Sequence, residues 1–324
     1  MKAVLCKSYG PPESLVVEDI PSQSPGKGQI LLEVKACGVN FPDTLIIEGK
    51  YQFKPEMPFS PGGEIAGIIK EVGEGVKQYK VGQKVFAMTG WGGFAEEVVA
   101  DAKICFPIPD GMDFVTASSF SMTYGTSMHA LQDRARMKEG ETLLVLGAAG
   151  GVGLAAVEIG VQLGAKVIAA ASTQEKLDFC REYGAVETIN YSKEDLKSRI
   201  KELTDGKGVD VVYDPVGGAY SEAALRGTAW KGRYLVIGFA SGEIPQVPLN
   251  LPLLKGCQIV GVFWGSFAQR NPQANMMNFM QLIQWFREGK LKPHIHATYG
   301  LEDAAKALHD ILDRKVKGKV VLVP

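Results

Sequence analysis

The chain changes rhythm at about residue 120. Up to Phe120 the apolar runs are short and broken by Pro and Gly, and Ile30–Ala36, Ile65–Ile69 and Lys84–Met88 read as strands. Pro61-Gly62-Gly63 and Pro109-Asp110-Gly111 mark turns between such runs, which predicts an irregular all-β unit. From Met122 onward the strand-like runs 143–146, 167–170, 188–190, 209–213, 234–237 and 259–262 alternate mostly with helical patterns. Such alternation implies a parallel, doubly wound sheet, because each crossover helix buries its apolar stripe on the sheet. Beyond Trp264 come a helical stretch (272–288), a strand near His294, a helix over 301–313 and a last strand, 319–323. This tail is expected to pack back on the first unit. The expected fold class is α/β in two domains: a β-rich one of residues 1–122 and 266–324, and a doubly wound one of residues 123–265.

The most specific local signal is Leu143-Leu144-Val145-Leu146-Gly147-Ala148-Ala149-Gly150-Gly151-Val152-Gly153. An apolar run ends in small residues, and a helix begins among them. With no side chains in the way, backbone N–H groups and the positive end of the helix dipole can approach a pyrophosphate. In the G-x-G-x-x-G frame, Ala148 takes the first glycine position and Gly150 and Gly153 the other two. A second strand, 166–170, follows on schedule, so a dinucleotide site is expected, with Gly150, Gly151 and Val152 as its cradle. An NAD site usually ends that strand with a carboxylate for the ribose 2′-hydroxyl. Here it runs into Ala171-Ser172-Thr173-Gln174-Glu175-Lys176. Ser172 and Thr173 can donate to a phosphate and Lys176 can reach it as a cation, which favours NADPH over NADH.

Composition excludes several classes. A net charge of -1 over 324 residues leaves no electrostatic footprint for nucleic acid. No apolar run reaches the roughly 18 residues of a membrane span. The N-terminal strand soon meets Gly10-Pro11-Pro12 and does not read as a signal peptide. Cys6, Cys37, Cys105, Cys180 and Cys257 lie far apart, as expected of reduced, mostly buried thiols in a cytoplasm.

Cys37-Gly38-Val39-Asn40-Phe41-Pro42-Asp43, Pro61 to Gly67, Gly147 to Gly153, Ile189-Asn190-Tyr191 and Gly318-Lys319-Val320-Val321 together resemble one family over essentially the whole chain. It is the medium-chain dehydrogenase/reductase superfamily, in its zinc-free quinone oxidoreductase (zeta-crystallin-like) branch. The resemblance implies a GroES-like catalytic domain and a Rossmann cofactor domain. One position departs: the branch usually carries glutamine after the glycine run, where this chain has Glu158, read as a small drift on a helix. Zinc-dependent relatives carry cysteine where this chain has Asn40, and Gly-His-Glu where it has Gly62-Gly63-Glu64. Their lobe of four cysteines is here the short loop 87–93, which has none. Catalytic zinc needs three protein ligands, and His294 with His296 lack a third, so no metal is expected. Without a Lewis acid to hold an alkoxide, hydride suits an acceptor that spreads the charge itself, a quinone or an enone.

The resemblance also implies residue roles. Asn40 is expected beside the nicotinamide, its amide donating to developing oxyanion charge, with helix capping as the competing reading. Asp43 matches a position near the nicotinamide ribose, or closes the first helical turn. Tyr51 lines the mouth of the cleft or packs at the surface. Thr123 and Thr126 resemble hydroxyls that touch the nicotinamide, and Tyr191 a residue near the adenosine phosphate or a strand-end core tyrosine. Loops at the C-terminal ends of parallel strands form the ligand crevice, which makes Val216, Phe239 and Ser241 candidate cofactor contacts. Phe263 and Trp264 follow the sixth strand, where backbone groups can hold the carboxamide or the rings can serve packing. The apolar edge 258–262 is a pairing liability and predicts a homodimer joined at these edges.

These readings lead to NADPH-dependent, zinc-independent reduction of quinones in the cytoplasm. Two alternatives stand beside it. One is an NADPH-dependent reductase of conjugated alkenals, enones or enoyl thioesters. The other is an NADPH-binding protein with a structural or RNA-associated role, against which the near-neutral charge argues.

Overall fold

Eleven consecutive residues, Gln29–Val39, form the strand on which the first unit is built. It pairs antiparallel with Glu64–Val72 along one side. Along the other it pairs with Glu97–Asp101 over its first half and with Lys319–Leu322 over its end. The seven-stranded sheet runs Ile295–Tyr299, Lys319–Leu322, Gln29–Val39, Glu64–Val72, Lys84–Met88, Cys105–Pro107, with Glu97–Asp101 off this path. Ile30, Leu32, Val34, Ile65, Val85, Phe94, Val320 and Leu322 make its buried core, joined by Ala307 and Leu308 of the helix Ala304–Leu312. The register sets up the site: Val39 lies opposite Val320, and Gly38 lies opposite Glu64. Continued by one residue, the register puts Asn40, just past the strand end, beside Lys319, with Glu64 two positions away on the opposite neighbour.

The second unit carries six strands, all parallel, in the order Glu187–Asn190, Lys166–Ala171, Thr142–Leu146, Val209–Asp214, Thr228–Val236, Gln258–Gly261. Numbered along the chain this is 3-2-1-4-5-6, and the order reverses between Thr142–Leu146 and Val209–Asp214, the switch point where such sheets bind ligands. Leu143 to Leu146 and Val167 to Ala170 are buried throughout, as strands covered on both faces must be. The fifth strand begins at Thr228 rather than near Tyr234. Exposed Trp230 and Lys231, the latter at φ 62°, break its apolar pattern. The edge strand Gln258–Gly261 pairs on one side only and exposes Ile259.

The computed structural model describes residues 1–324, as two units, Met1–Met122 with Pro293–Pro324, and Thr123–Lys292. Residues 266–292, expected with the first unit, thus group with the second. The cause is the helix Pro272–Arg287, whose buried face is partly polar. Asn275 accepts the Trp264 indole N–H at 2.9 Å, Asn278 donates to Asp133 at 2.9 Å, and Phe279 packs 6.2 Å from the Trp264 ring. All five cysteines are buried and unpaired by disulfides. No helix is long and apolar enough to cross a membrane.

Candidate active site

In the first unit three residues distant in sequence meet where the strand Gln29–Val39 ends. The Lys319 ammonium donates to Val39 O at 3.0 Å, Asn40 Oδ1 at 2.6 Å and Glu64 Oε2 at 3.1 Å, which uses its three N–H groups. Glu64 has no solvent exposure and accepts the Met122 N–H at Oε1 (2.8 Å) and the Asn40 amide at Oε2 (2.9 Å). Asn40 gives a further amide N–H to Gly38 O at 3.2 Å. Gly38 is dictated by this crowding: a Cβ there would lie 2.1 Å from Ser118 O and 3.0 Å from Glu64 Oε2.

Here the geometry differs from expectation. With its oxygen held by an ammonium and both amide hydrogens committed, Asn40 has no donor to offer a substrate oxygen. Asp43, on the helix Phe41–Ile46, accepts the Asn40 N–H at 2.7 Å and the Gly62 N–H at 3.2 Å, so it closes the first helical turn. Burial pushes its carboxyl up to about 7, against the pull of those two N–H groups and of Lys319. Tyr51 is half-buried, edge-on to Phe53 at 5.9 Å, and burial followed by the Asp43 charge raises its hydroxyl. Burial, with the Asp43 and Glu64 charges, holds the Cys37 thiol protonated.

These residues do not fit zinc. A Cβ at Gly63 would lie 2.6 Å from Gly90 O, so the position where zinc-dependent relatives carry histidine has no room for a side chain. Asn40 and Glu64 are already bound to an ammonium, and nowhere do three or more His, Cys, Asp or Glu side chains gather as a metal would need.

In the second unit the glycine run is built as a cradle. Gly147, at φ +58°, makes the tight turn that the sequence frame gave to position 148, while Ala148 is buried with its N–H on Ala170 O. Gly150 is the extended N-cap of the helix Gly151–Gln162. A Cβ at Gly153 would lie 2.3 Å from Gly147 O, so helix and strand touch there. The first-turn N–H groups of Gly151, Val152 and Gly153 have no acceptor within their own helix, which suits an anion.

Around this cradle, buried Asp214 accepts the N–H groups of Val216 (2.8 Å) and Gly217 (2.9 Å) and the hydroxyls of Ser221 and Tyr234. Ser241 donates its N–H to Val216 O at 2.8 Å, and a Cβ at Gly217 would meet the Phe239 ring at 2.9 Å. Val216, Phe239 and Ser241 thus come together at the switch point. Thr173 caps the helix Gln174–Glu182, accepting the Lys176 N–H at 3.3 Å, with Ser172 just before it and Lys176 half-buried. The Tyr191 ring packs 4.3 Å from that of Tyr220. Thr123 and Thr126 are buried on the helix Ser121–Met128. Phe263 is exposed, but the Trp264 ring is interior, where a Cβ at Gly125 would meet it at 2.8 Å, so its side chain serves packing.

Sequence reasoning gave no role to Gly147, Lys319 or Asp214 and treated Glu64 only as part of a motif. Glu158 is more than drift. It is buried, accepts the Tyr124 hydroxyl and the Lys292 N–H, and burial pushes its carboxyl up to about 7.

Residues 26–110 match the family described as alcohol dehydrogenase GroES-like domain, and residues 151–284 that described as zinc-binding dehydrogenase. The quinone oxidoreductase-like protein 2 homolog of Nematostella vectensis is 42% identical over 99% of this chain and 88% of its own. The chain belongs to the zinc-free quinone oxidoreductase branch of the medium-chain dehydrogenase/reductases. It is an oxidoreductase of that branch, with a GroES-like first unit and a Rossmann second unit. Pseudomonas syringae pv. Tomato DC3000 quinone oxidoreductase has the same fold at a TM-score of 0.94, with 34% identity over 100% of this chain and 99% of that one. Escherichia coli quinone oxidoreductase complexed with NADPH matches at 0.93, with 31% identity over 100% of both chains.

Proposed function

We propose that this protein is an NADPH-dependent, zinc-independent oxidoreductase that reduces quinones. The observation that carries the reading is the glycine cradle at the switch point, followed after the next strand by a turn whose residues Ser172, Thr173 and Lys176 can receive a 2′-phosphate. The named activity of its relatives and the NADPH in the Escherichia coli enzyme support it. Gly151 and Val152 would hold the pyrophosphate through their backbone N–H groups. Gly150, whose own N–H is bonded to Gly147 O at 3.0 Å, would leave room for it as the side-chain-free N-cap, and Tyr191 would border the adenosine phosphate. Thr123, Thr126, Val216, Phe239, Ser241 and Phe263 would line the nicotinamide side. NADPH bound there would supply a hydride, two electrons and one proton, and a quinone accepting it would become a hydroquinone monoanion that takes its second proton from water. Asp43 and Tyr51 shape the acceptor side, and Asn40 serves as a rigid joint for them. The protein acts in the cytoplasm as a homodimer joined through its edge strands Gln258–Gly261.

The test is steady-state NADPH oxidation with 1,4-benzoquinone and 9,10-phenanthrenequinone. Turnover of both is expected. Inert quinones beside an active enone would show that the acceptor class is wrong. Light scattering at micromolar concentration should return twice the chain mass, and a monomer would remove the edge-strand dimer.

A further inference from the structure

Lys319 is a buried cation to which the proposed chemistry assigns no task. Its side chain is 7% exposed, and three oxygens at 2.6 to 3.1 Å draw the ammonium inward. Its effect on Asn40 is geometric. With an ammonium on one side and a carboxylate on the other, the carboxamide has one satisfiable orientation, Oδ1 toward Lys319 and Nδ2 toward Glu64. Flipping it would set N–H against ammonium and oxygen against carboxylate. The Asn40 backbone N–H in turn holds Asp43 at 2.7 Å. The ammonium reaches this point because the closing strand Lys319–Leu322 pairs beside Val39.

The structure assigns Lys319 as a positioning residue for quinone reduction: its ammonium locks the Asn40 carboxamide and, through the Asn40–Asp43 turn, sets the placement of Asp43. The inference rests on the proposed reduction of quinones and on Asp43 serving it. The charged and titratable groups acting on Asp43 are Lys319 and Glu64, and its own charge is felt by Cys37 and Tyr51. Lys319 pulls the Asp43 carboxyl down while burial and Glu64 push it up. Loss of the ammonium therefore moves the Asp43 titration upward.

Three variants test this: Lys319→Gln, which keeps two N–H donors and loses the charge, Lys319→Met, which loses both, and Lys319→Arg, which keeps both. In the neutral variants kcat with 1,4-benzoquinone should fall about tenfold or more, while the NADPH Kd measured without quinone changes less than about twofold. The pH–rate limb near neutrality should move up by about one unit, and Lys319→Arg should return it. The same upward shift should appear without nucleotide or quinone, in the carboxyl carbon-13 resonance of Asp43, assigned with Asp43→Asn. Equal losses in kcat and NADPH affinity with an unmoved Asp43 titration would reduce Lys319 to a structural strut, as would failure of both neutral variants to fold. If the wild type turns over no quinone, the proposed function falls, but the resonance shift still decides whether Lys319 governs Asp43.

Discussion

In the second unit the candidate cofactor cradle is made of backbone. Gly147 turns, Gly150 caps, Gly153 lets helix touch strand, and the groups offered to a ligand are main-chain N–H groups. In the first unit the polar cluster is made of side chains, Asn40, Asp43, Glu64 and Lys319, gathered from both ends of the chain by the strand that closes the sheet. The same contrast holds for buried carboxyls. Glu64 is bonded to an ammonium, whereas Glu158 meets a phenol and a backbone N–H, with the Lys292 charge a smaller help. A backbone site needs its glycines but few side chains, while a side-chain site depends on every partner at once. Substitutions should therefore be steep and coupled in the first unit, but local and separable in the second.

The largest effect should come from breaking the ion pair. Removing one partner of a buried pair leaves the other charge uncompensated, so Lys319→Met or Glu64→Gln should each cost about 3–5 kcal/mol. The double variant should cost well below the sum, a coupling of about 1–3 kcal/mol. Urea unfolding of the nucleotide-free protein measures all three, and additive losses would abolish the contrast between the units. Next comes Gly153→Ala. Its Cβ would lie 2.3 Å from Gly147 O, a backbone atom that cannot step aside, so we expect overpacking of about 1–3 kcal/mol. NADPH binding should weaken with it. Gly150→Ala is the control: its nearest atom is 3.4 Å away and its φ is -77°, so stability should barely change.

Glu158 separates the two kinds of buried carboxyl by pH. Its folded value of about 7 lies above the ordinary glutamate value of 4.5, so between these the folded chain binds a proton that the unfolded chain releases. That contribution to stability is present at low pH and is lost as pH rises through 7. Glu158→Gln has no such proton to lose and should be more stable than wild type at pH 8 by about 2 kcal/mol, with little difference near pH 5. Thermal unfolding across that range measures it. A variant less stable than wild type at pH 8 would mean that the carboxylate is well compensated there and that the contrast with Glu64 is false.

What could be read from sequence follows the same division. Strand–helix alternation and the glycine run carried the Rossmann unit and its cradle, because period, turn and cap are local properties. The misassigned stretch 266–292 is instructive: Asn275 and Asn278 occupy buried positions of a helix, and no apolar periodicity shows where a polar face docks. The Lys319–Asn40–Glu64 cluster was invisible for a related reason. Its members lie 279 and 255 residues apart, and only the register of three strands brings them together. Asn40 could be singled out from its motif, but its hydrogen-bond partners, which decide what its amide can do, come from elsewhere in the fold.

The smallest expected effect tests the one side-chain element of the backbone-built site. Lys176 is half-buried, in a helix whose N-cap hydroxyl already accepts its N–H, so its ammonium adds charge to a turn shaped without it. Lys176→Ala should leave the fold intact and weaken NADPH binding by about tenfold, or 1.4 kcal/mol, the scale of one charge-assisted contact partly screened by solvent. NADH, which lacks the 2′-phosphate, should bind the variant and the wild type alike, and added salt should narrow the difference for NADPH. Fluorescence titration with both nucleotides at two ionic strengths measures this. Equal loss for both nucleotides would mean that Lys176 supports the helix rather than the phosphate. No loss for either would leave nucleotide choice to Ser172, Thr173 and the backbone, and the second unit would then be still more purely a backbone site than its geometry already suggests.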